Sequence, residues 1–301
     1  MKMTPPAEAG NPMLCTREYF DRLWLEQRLM DPVTPDTTLH LFGETFASPV
    51  MTAALSHLKN DQPGAEDPMV AYGKGAALAG CVHWIGMGDD DQFRAVVSTG
   101  ARTVRIVKPY AEEEAILSRL RAAEEAGALA VGMDIDHWYD AVGDCDVVLG
   151  ETMRPKSLSQ LRSYAEATKL PFVIKGVLSA RDAKAAADIG AKGIVVSHHN
   201  GRMKFAVPPL LVLPEIVKAV GDRLAVFVDC GVTSGADAYK ALALGATAVC
   251  VGAHLIPFTM QGSAAVCGRL REMTASLKGL MAWTGVADLR SFDASVLHLL
   301  P

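Results

Sequence analysis

LPFVIKGVLSARDAKAAADIGAKGIVVSHHNGR (170–202) reads as strand, helix, strand. PFVIKG (171–176) and GIVVSHH (193–199) are continuous apolar runs rather than alternating ones. Both faces of each should therefore be buried, as in parallel sheets. The segment between them, SARDAKAAADIG (179–190), opens on Ser179 with Asp182 three residues later, a capping box with a shortened acid, and ends at Gly190. A strand, a crossover helix and a second buried strand make one βα unit of a parallel sheet.

The same grammar recurs on both sides. Buried-strand runs are PVMTAAL (49–55), CVHWIG (81–86), TVRIVK (103–108), AVGMDID (130–136), LAVFVDCG (224–231) and AVCVGA (248–253), which brings the strands to eight. AEEEAILSRLRAAEEAG (111–127) carries acids in its first turn and a glycine at its end, as the helix dipole and C-cap prefer. SGADAYKALALG (234–245) follows the same pattern. Eight βα units with no break in composition and no Gly- or Ser-rich linker predict the α/β class. The expected architecture is a single-domain (β/α)8 TIM barrel over 28–301 rather than an open sheet. Residues 1–27 are expected to form a flexible or partly helical lead. Its start, MKMTPPAEAGNPM, lacks the hydrophobic core of a signal peptide and reads as disordered.

Composition narrows the partners. The chain has 301 residues, enough for one large core, and a formal charge of −5. That charge argues against nucleic acid, whose phosphates need a clustered basic surface. No apolar run approaches the ~18 residues of a membrane span. Six cysteines lie far apart with no CxxC pair, several inside apolar runs. They read as reduced thiols of a cytoplasmic protein.

Barrel sites lie at the C-terminal ends of the strands. Those ends supply Lys108, Asp134, Asp136, Lys175, Ser197, His198, His199 and Asp229, more ionisable groups than a bland barrel needs. In VVSHHNGR (195–202) one histidine suits a general base, and Arg202 suits bidentate grip on a carboxylate. A capped strand end with a surface arginine is the plainer alternative. A metal is disfavoured because no carboxylate sits at ligand spacing beside the pair. Lys175 suits an anionic cofactor or a Schiff base, or simply a salt bridge across the mouth. Asp136 can orient a histidine ring or cap a helix. FVDCGVTSGADAYKALALGATAVCVGA (227–253) places Gly231, Gly235 and Gly252, with a helix N-terminus after Thr233, where barrels often bind phosphate.

These residues resemble the FMN-dependent α-hydroxy-acid oxidase/dehydrogenase family, which includes glycolate oxidase and lactate oxidase. The likeness runs from about Arg28 to Leu289 and suggests a short bacterial branch. The family's S-N-H-G-G-R corresponds to Ser197–Arg202. The resemblance therefore implies His199 as base, Arg202 as carboxylate-binding residue, Asp136 as partner of the histidine and Lys175 as the flavin-contacting lysine. Lys108 stands in place of a substrate-site tyrosine. An FMN envelope is implied from Ala53, Ala54, Gly86, Asp134, Lys175, Ser197, Asp229, Cys230, Gly231, Gly252 and Ala253. No metal site is implied. The substrate would be a small 2-hydroxy acid, and a homo-oligomer is compatible with this reading.

The chain departs from the family at the phosphate. D-G-G-[VI]-R reads Asp229, Cys230, Gly231, Val232, Thr233, and G-R-P reads Gly252, Ala253, His254. Two phosphate arginines are thus Thr233 and Ala253. Each lost charge-assisted bond is worth roughly 1.5–3 kcal/mol. Two alternatives stay open at this point. One is a flavin-free barrel acting as a binding or scaffold protein. The other is a flavin-dependent isomerase resembling type 2 isopentenyl-diphosphate isomerase.

Overall fold

The computed structural model describes residues 9–301. Eight parallel strands follow one another as β1 (Val50–Thr52), β2 (His83–Ile85), β3 (Thr103–Val107), β4 (Ala130–Asp134), β5 (Phe172–Val177), β6 (Gly193–Val196), β7 (Ala225–Val228) and β8 (Ala248–Val251). Each coincides with one of the apolar runs. Each strand pairs with its sequence neighbour, and β8 pairs with β1. The seam between β1 and β2 is closed by Thr52 N–H to Val82 O at 3.2 Å and Gly86 N–H to Leu55 O at 2.9 Å. The sheet is a barrel without free edges.

Among the described residues ten helices surround it: α1 (Pro12–Arg22), α2 (Pro68–Ala79), α3 (Asp90–Val97), α4 (Glu113–Glu125), α5 (Leu158–Glu166), α6 (Ala180–Asp188), α7 (Pro209–Val220), α8 (Gly235–Ala243), α9 (Ile256–Thr259) and α10 (Ser263–Trp283). Ser179 caps α6 by accepting from Asp182 N–H at 3.1 Å. The capping box closes fully at α5 instead, between Ser157 and Gln160, because the longer glutamine side chain reaches back to the cap backbone.

The period of two sorts the buried side chains. Met51, Trp84, Val104, Ile106, Val173, Val195, Phe227 and Cys250 fill the barrel interior. Val131, Met133, Ile174, Ile194, Val226 and Val249 face the helices. Trp84 and Phe227 meet edge to face at 5.2 Å between centroids. A hairpin outside the eight predicted runs, Leu39–Leu41 with Glu44–Phe46, contributes Leu39, Leu41 and Phe46 to this interior core. The first barrel strand begins at Val50, within the apolar run 49–55.

Of the stretch 1–13 expected to be disordered, residues 1–8 lie outside the described residues. Asn11 caps α1 by accepting from Met13 N–H, and Thr16 and Phe20 of α1 are buried. Leu23–Leu25 then pairs antiparallel with Leu297–Leu299, tying the two ends of the chain together. Arg17 fastens α1 to α8 with two bonds to the buried Asp237 carboxylate, at 2.9 and 3.1 Å. Removing a charged hydrogen-bonding partner from a buried carboxylate costs about 1.5–3 kcal/mol. Arg17→Ala should lower the melting temperature accordingly in a thermal scan, and an unchanged melting temperature would show that the pair contributes nothing.

Candidate active site

The ionisable residues expected at the strand ends gather at one mouth. Lys108, ending β3, donates to Asp134 Oδ2 at 2.5 Å. Lys175 on β5 lies 3.1 Å from Asp134 Oδ1 and 3.8 Å from Asp229 Oδ2. Asp136 follows β4 in a single 3-10 turn, and its Oδ1 lies 2.8 Å from His199 Nδ1.

Burial alone would push the Asp134 carboxyl up, but Lys108 and Lys175 outweigh it and hold the group well below the ordinary carboxylate range. Burial likewise opposes ionisation of Asp136, yet Lys175 and the bond from His199 keep its pKa low. Lys175 is pushed the other way. Burial works against its charge, while Asp134, Asp136 and Asp229 raise it. Burial pulls the Lys108 ammonium below its usual value despite Asp134. Asp134, Asp136, His137 and His199 place ligand atoms within 4.8 Å of one another, a spacing that a metal could bridge. Lys108 and Lys175 already supply the positive charge there.

The carboxylate of Asp136 can only accept, so His199 Nδ1 carries the proton in this pair, and in the neutral ring Nε2 is the nitrogen with the lone pair. Lys175, 3.1 Å from the same Nδ1, is then a neighbour rather than a partner, since two donors cannot bond. The His199 backbone has φ +48° and Asn200 φ +55°, two successive left-handed residues. Asparagine tolerates that conformation better than histidine does. Ser197 Oγ holds the turn by accepting from His199 N–H at 3.0 Å. The His137 ring packs edge-on against His199, 4.6 Å between centroids.

The other histidine faces away. His198 Nδ1 accepts from Gly201 N–H at 3.1 Å, so Nε2–H donates to Thr16 Oγ1 of α1 at 2.8 Å. Arg202 is more occupied than a free carboxylate clamp. Its Nε donates to Asp136 O at 2.9 Å, and Nη2 donates to Tyr139 O and Asp146 Oδ2, both at 2.8 Å. Nη1 has no partner among the described residues.

Beside these groups a cleft runs from His199 and Lys175 past Asp229, Cys230 and Gly231 to Thr233, Ala253 and His254, with Ala53, Ala54 and Gly252 on its other wall. Most of the implied FMN envelope is here. Six of the expected site residues are not on this wall. Gly86 packs beneath, where a side chain would meet Ser56 and the Ala54 carbonyl. Asp134 is buried behind Lys175, with Lys108 bonded to it. Asp136, Ser197 and Arg202 line a second, neighbouring cavity. The lysine of the cleft and its small-residue walls fit a flat, anionic aromatic group. Beside the helix N-terminus after Thr233, Asp237 Oδ2 accepts from both Thr233 N–H and Thr233 Oγ1–H at 3.0 Å, so the chain's own carboxylate takes the donors of Thr233.

The model of the FMN-dependent dehydrogenase family matches residues 6–160 and 140–299. The chain belongs to that family. Glycolate oxidase 3 of Arabidopsis thaliana is 28% identical over 316 residues, covering 92% of this chain and 85% of the relative. L-lactate dehydrogenase of Caulobacter vibrioides is 46% identical over 141 residues, 46% of this chain and 37% of the relative. A solved mandelate oxidase variant with a C4a-OH-FMN adduct superposes with a TM-score of 0.84 at 28% identity, covering 96% of this chain and 91% of its own. FMN is the cofactor of the family, and its members are α-hydroxy-acid oxidases and dehydrogenases. Among the described residues no helix is long and apolar enough to cross a membrane.

Sequence reasoning missed His137, Asp146, Met13, Thr16, Arg17 and Arg269. Of these only His137 and Asp146 carried a signal, as polar residues just beyond β4. The others come from helices distant in sequence. Gly176 offers a direct test of the dyad. It has φ +97°, and a Cβ there would lie 2.5 Å from Asp136 Oδ2. Gly176→Ala should displace Asp136 and cut kcat by about tenfold or more, since small misplacements of catalytic groups have large effects. Steady-state kinetics at saturating substrate checks this, and an unchanged kcat would show that Asp136 tolerates the shift.

Proposed function

We propose that the chain oxidises a small 2-hydroxy acid to the 2-oxo acid with His199 as the base. The observation that carries this reading is the 2.8 Å bond from His199 Nδ1–H to Asp136, which leaves Nε2 free to take a proton. FMN, when bound, supplies the two-electron acceptor. His199 Nε2 takes a proton from the substrate, and Asp136 stabilises the imidazolium that results. Lys175 keeps a fixed positive charge on the cleft wall. Arg202 Nη1 is the donor left for the substrate carboxylate, while its Nε holds the Asp136 carbonyl and its Nη2 holds Tyr139 O and Asp146. Lys108 acts through Asp134, because its ammonium is buried against that carboxylate. The family match favours this reading over the isomerase and scaffold alternatives.

A cytoplasmic location belongs to the same reading, since all six cysteines are free. So does a single barrel domain over 28–301, with α1 (Pro12–Arg22) docked against it through Thr16 and Arg17. A homo-oligomer is favoured by the apolar side chains exposed near the mouth, with Val142 82%, Phe205 74% and Leu149 69% exposed. Light scattering on the eluted protein measures that state.

The deciding experiment is spectroscopic. The purified protein should show flavin absorption, and that absorption should bleach without oxygen when a short-chain 2-hydroxy acid is added. Bound flavin that no 2-hydroxy acid in a panel can bleach would sink the reaction. No flavin, even after incubation with FMN, would sink the cofactor.

A further inference from the structure

The phosphate end of the cleft lacks the two arginines that the resemblance places there, yet it is not without cations. Arg269 reaches it from α10, the helix that follows the loop after β8. Its Nη2 donates to Thr233 O at 2.9 Å, and its Nε donates to His254 Nε2 at 2.9 Å. An arginine Nε always carries its hydrogen, so His254 Nε2 must be the acceptor. The proton of the imidazole is therefore fixed on Nδ1, which makes the ring a donor. His254 itself lines the cleft beside Thr233 and Ala253. Phe258 flanks both groups, 5.9 Å from the His254 ring and 5.9 Å from the Arg269 guanidinium.

Arg17 also approaches this end, 3.5 Å from Thr233 Oγ1. Its charge is spent, because it is bidentate to Asp237, whose side chain is only 3% exposed. The carboxylate partner of Arg269 is Glu272, which is 69% exposed and therefore well screened by water. Of the two arginines near Thr233, Arg269 is the one whose charge is available to an anion.

We propose that His254 and Arg269 together bind the phosphate of FMN, His254 through its Nδ1–H and Arg269 through the charge it holds behind that ring. The pair replaces two arginines, one after β7 and one after β8, with one imidazole donor after β8 and one guanidinium from α10. Arg269 acts as a positioning residue as well as a charge, since it sets the tautomer of His254. This assignment rests on the FMN reading above.

The test separates phosphate from isoalloxazine by using two probes, FMN and riboflavin, which lacks the phosphate. Full-length wild type, His254→Ala, Arg269→Met and Arg269→Lys are freed of flavin and titrated with each probe by fluorescence. Wild type should bind FMN at least about tenfold more tightly than riboflavin. His254→Ala and Arg269→Met should each remove about tenfold of FMN affinity and leave riboflavin unchanged, with Arg269→Lys in between because it keeps the charge but not the Nε donor. Circular dichroism confirms that each variant is folded. If a variant is not folded, the decision falls to Arg269→Lys and wild type alone. FMN affinity unmoved in the folded variants, or riboflavin affinity lost in parallel, overturns the assignment while leaving the FMN reading intact. Wild type that binds neither flavin overturns the FMN reading, and this assignment with it.

Discussion

His199→Ala should lower kcat by about 10²–10⁴ while the protein still retains flavin, because a positioned general base contributes about that much. The flavin should stay because His199 lies at the Lys175 end of the cleft, opposite the end formed by Thr233, Ala253 and His254. His198 is the informative control. Its two nitrogens are already committed, one to Gly201 N–H and the other to Thr16 of α1. His198→Ala should therefore loosen α1 and lower the melting temperature, with a much smaller effect on kcat. Asp136→Asn should fall between the two histidine variants in kcat, since it keeps the shape and loses the carboxylate that stabilises the imidazolium. Measuring kcat and flavin content for all three variants distinguishes the roles. Full turnover by His199→Ala would remove it as the base. Equal kcat losses in both histidine variants, with folding intact, would assign the base to neither.

The barrel was legible because its strands are buried on both faces. An apolar run bounded by capping residues announces itself one unit at a time, and each of the eight runs proved to be a strand. The dyad was legible for a related reason. A charge at the end of a buried strand is costly to desolvate, so it needs a partner or a ligand there. What could not be read is whatever depends on contacts between distant segments. The sequence shows Thr233 and Ala253 as losses, but only the fold brings Arg269 to within hydrogen-bonding distance of Thr233 O and His254. It shows Arg202 as a free clamp, but the loop after β4 folds back so that Asp146 and the carbonyls of Asp136 and Tyr139 take two of its nitrogens. The hairpin at Leu39–Phe46 was missed because it turns at Phe42–Gly43, with φ +51° and +83°. A phenylalanine at a left-handed turn position is not a turn signal, and the position is held by its contact with Phe227 at 6.2 Å.

Lys175→Met should be the most destabilising single change at the mouth. Lys175 stands amid Asp134, Asp136 and Asp229, and its removal leaves Lys108 as the one lysine facing three carboxylates among the described residues. Breaking a buried ion pair by deleting one partner costs about 3–5 kcal/mol, because the remaining charge has been stripped of water and has no counter-charge. At roughly 2 °C per kcal/mol for a chain of this size, the melting temperature of the flavin-free protein should fall by about 6–10 °C. The loss should also depend on pH with a definite sign. In the wild type Asp134 and Asp136 are held below their ordinary values. Their contribution to stability is therefore present above the unfolded carboxylate pKa of about 3.9 and is lost only as the pH falls below it. In the variant, burial acts on the same carboxyls with one lysine fewer to oppose it, so their folded pKa values rise. Mild acid then protonates them in the folded state and relieves the cost. The gap in melting temperature between wild type and variant should narrow from pH 8 to pH 5 in flavin-free protein, where no bound ligand shifts the balance. A gap of the same size at both pH values would mean that the carboxylates find other partners when Lys175 is gone. An unchanged melting temperature at pH 8 would mean that the lysine contributes nothing to holding the mouth together.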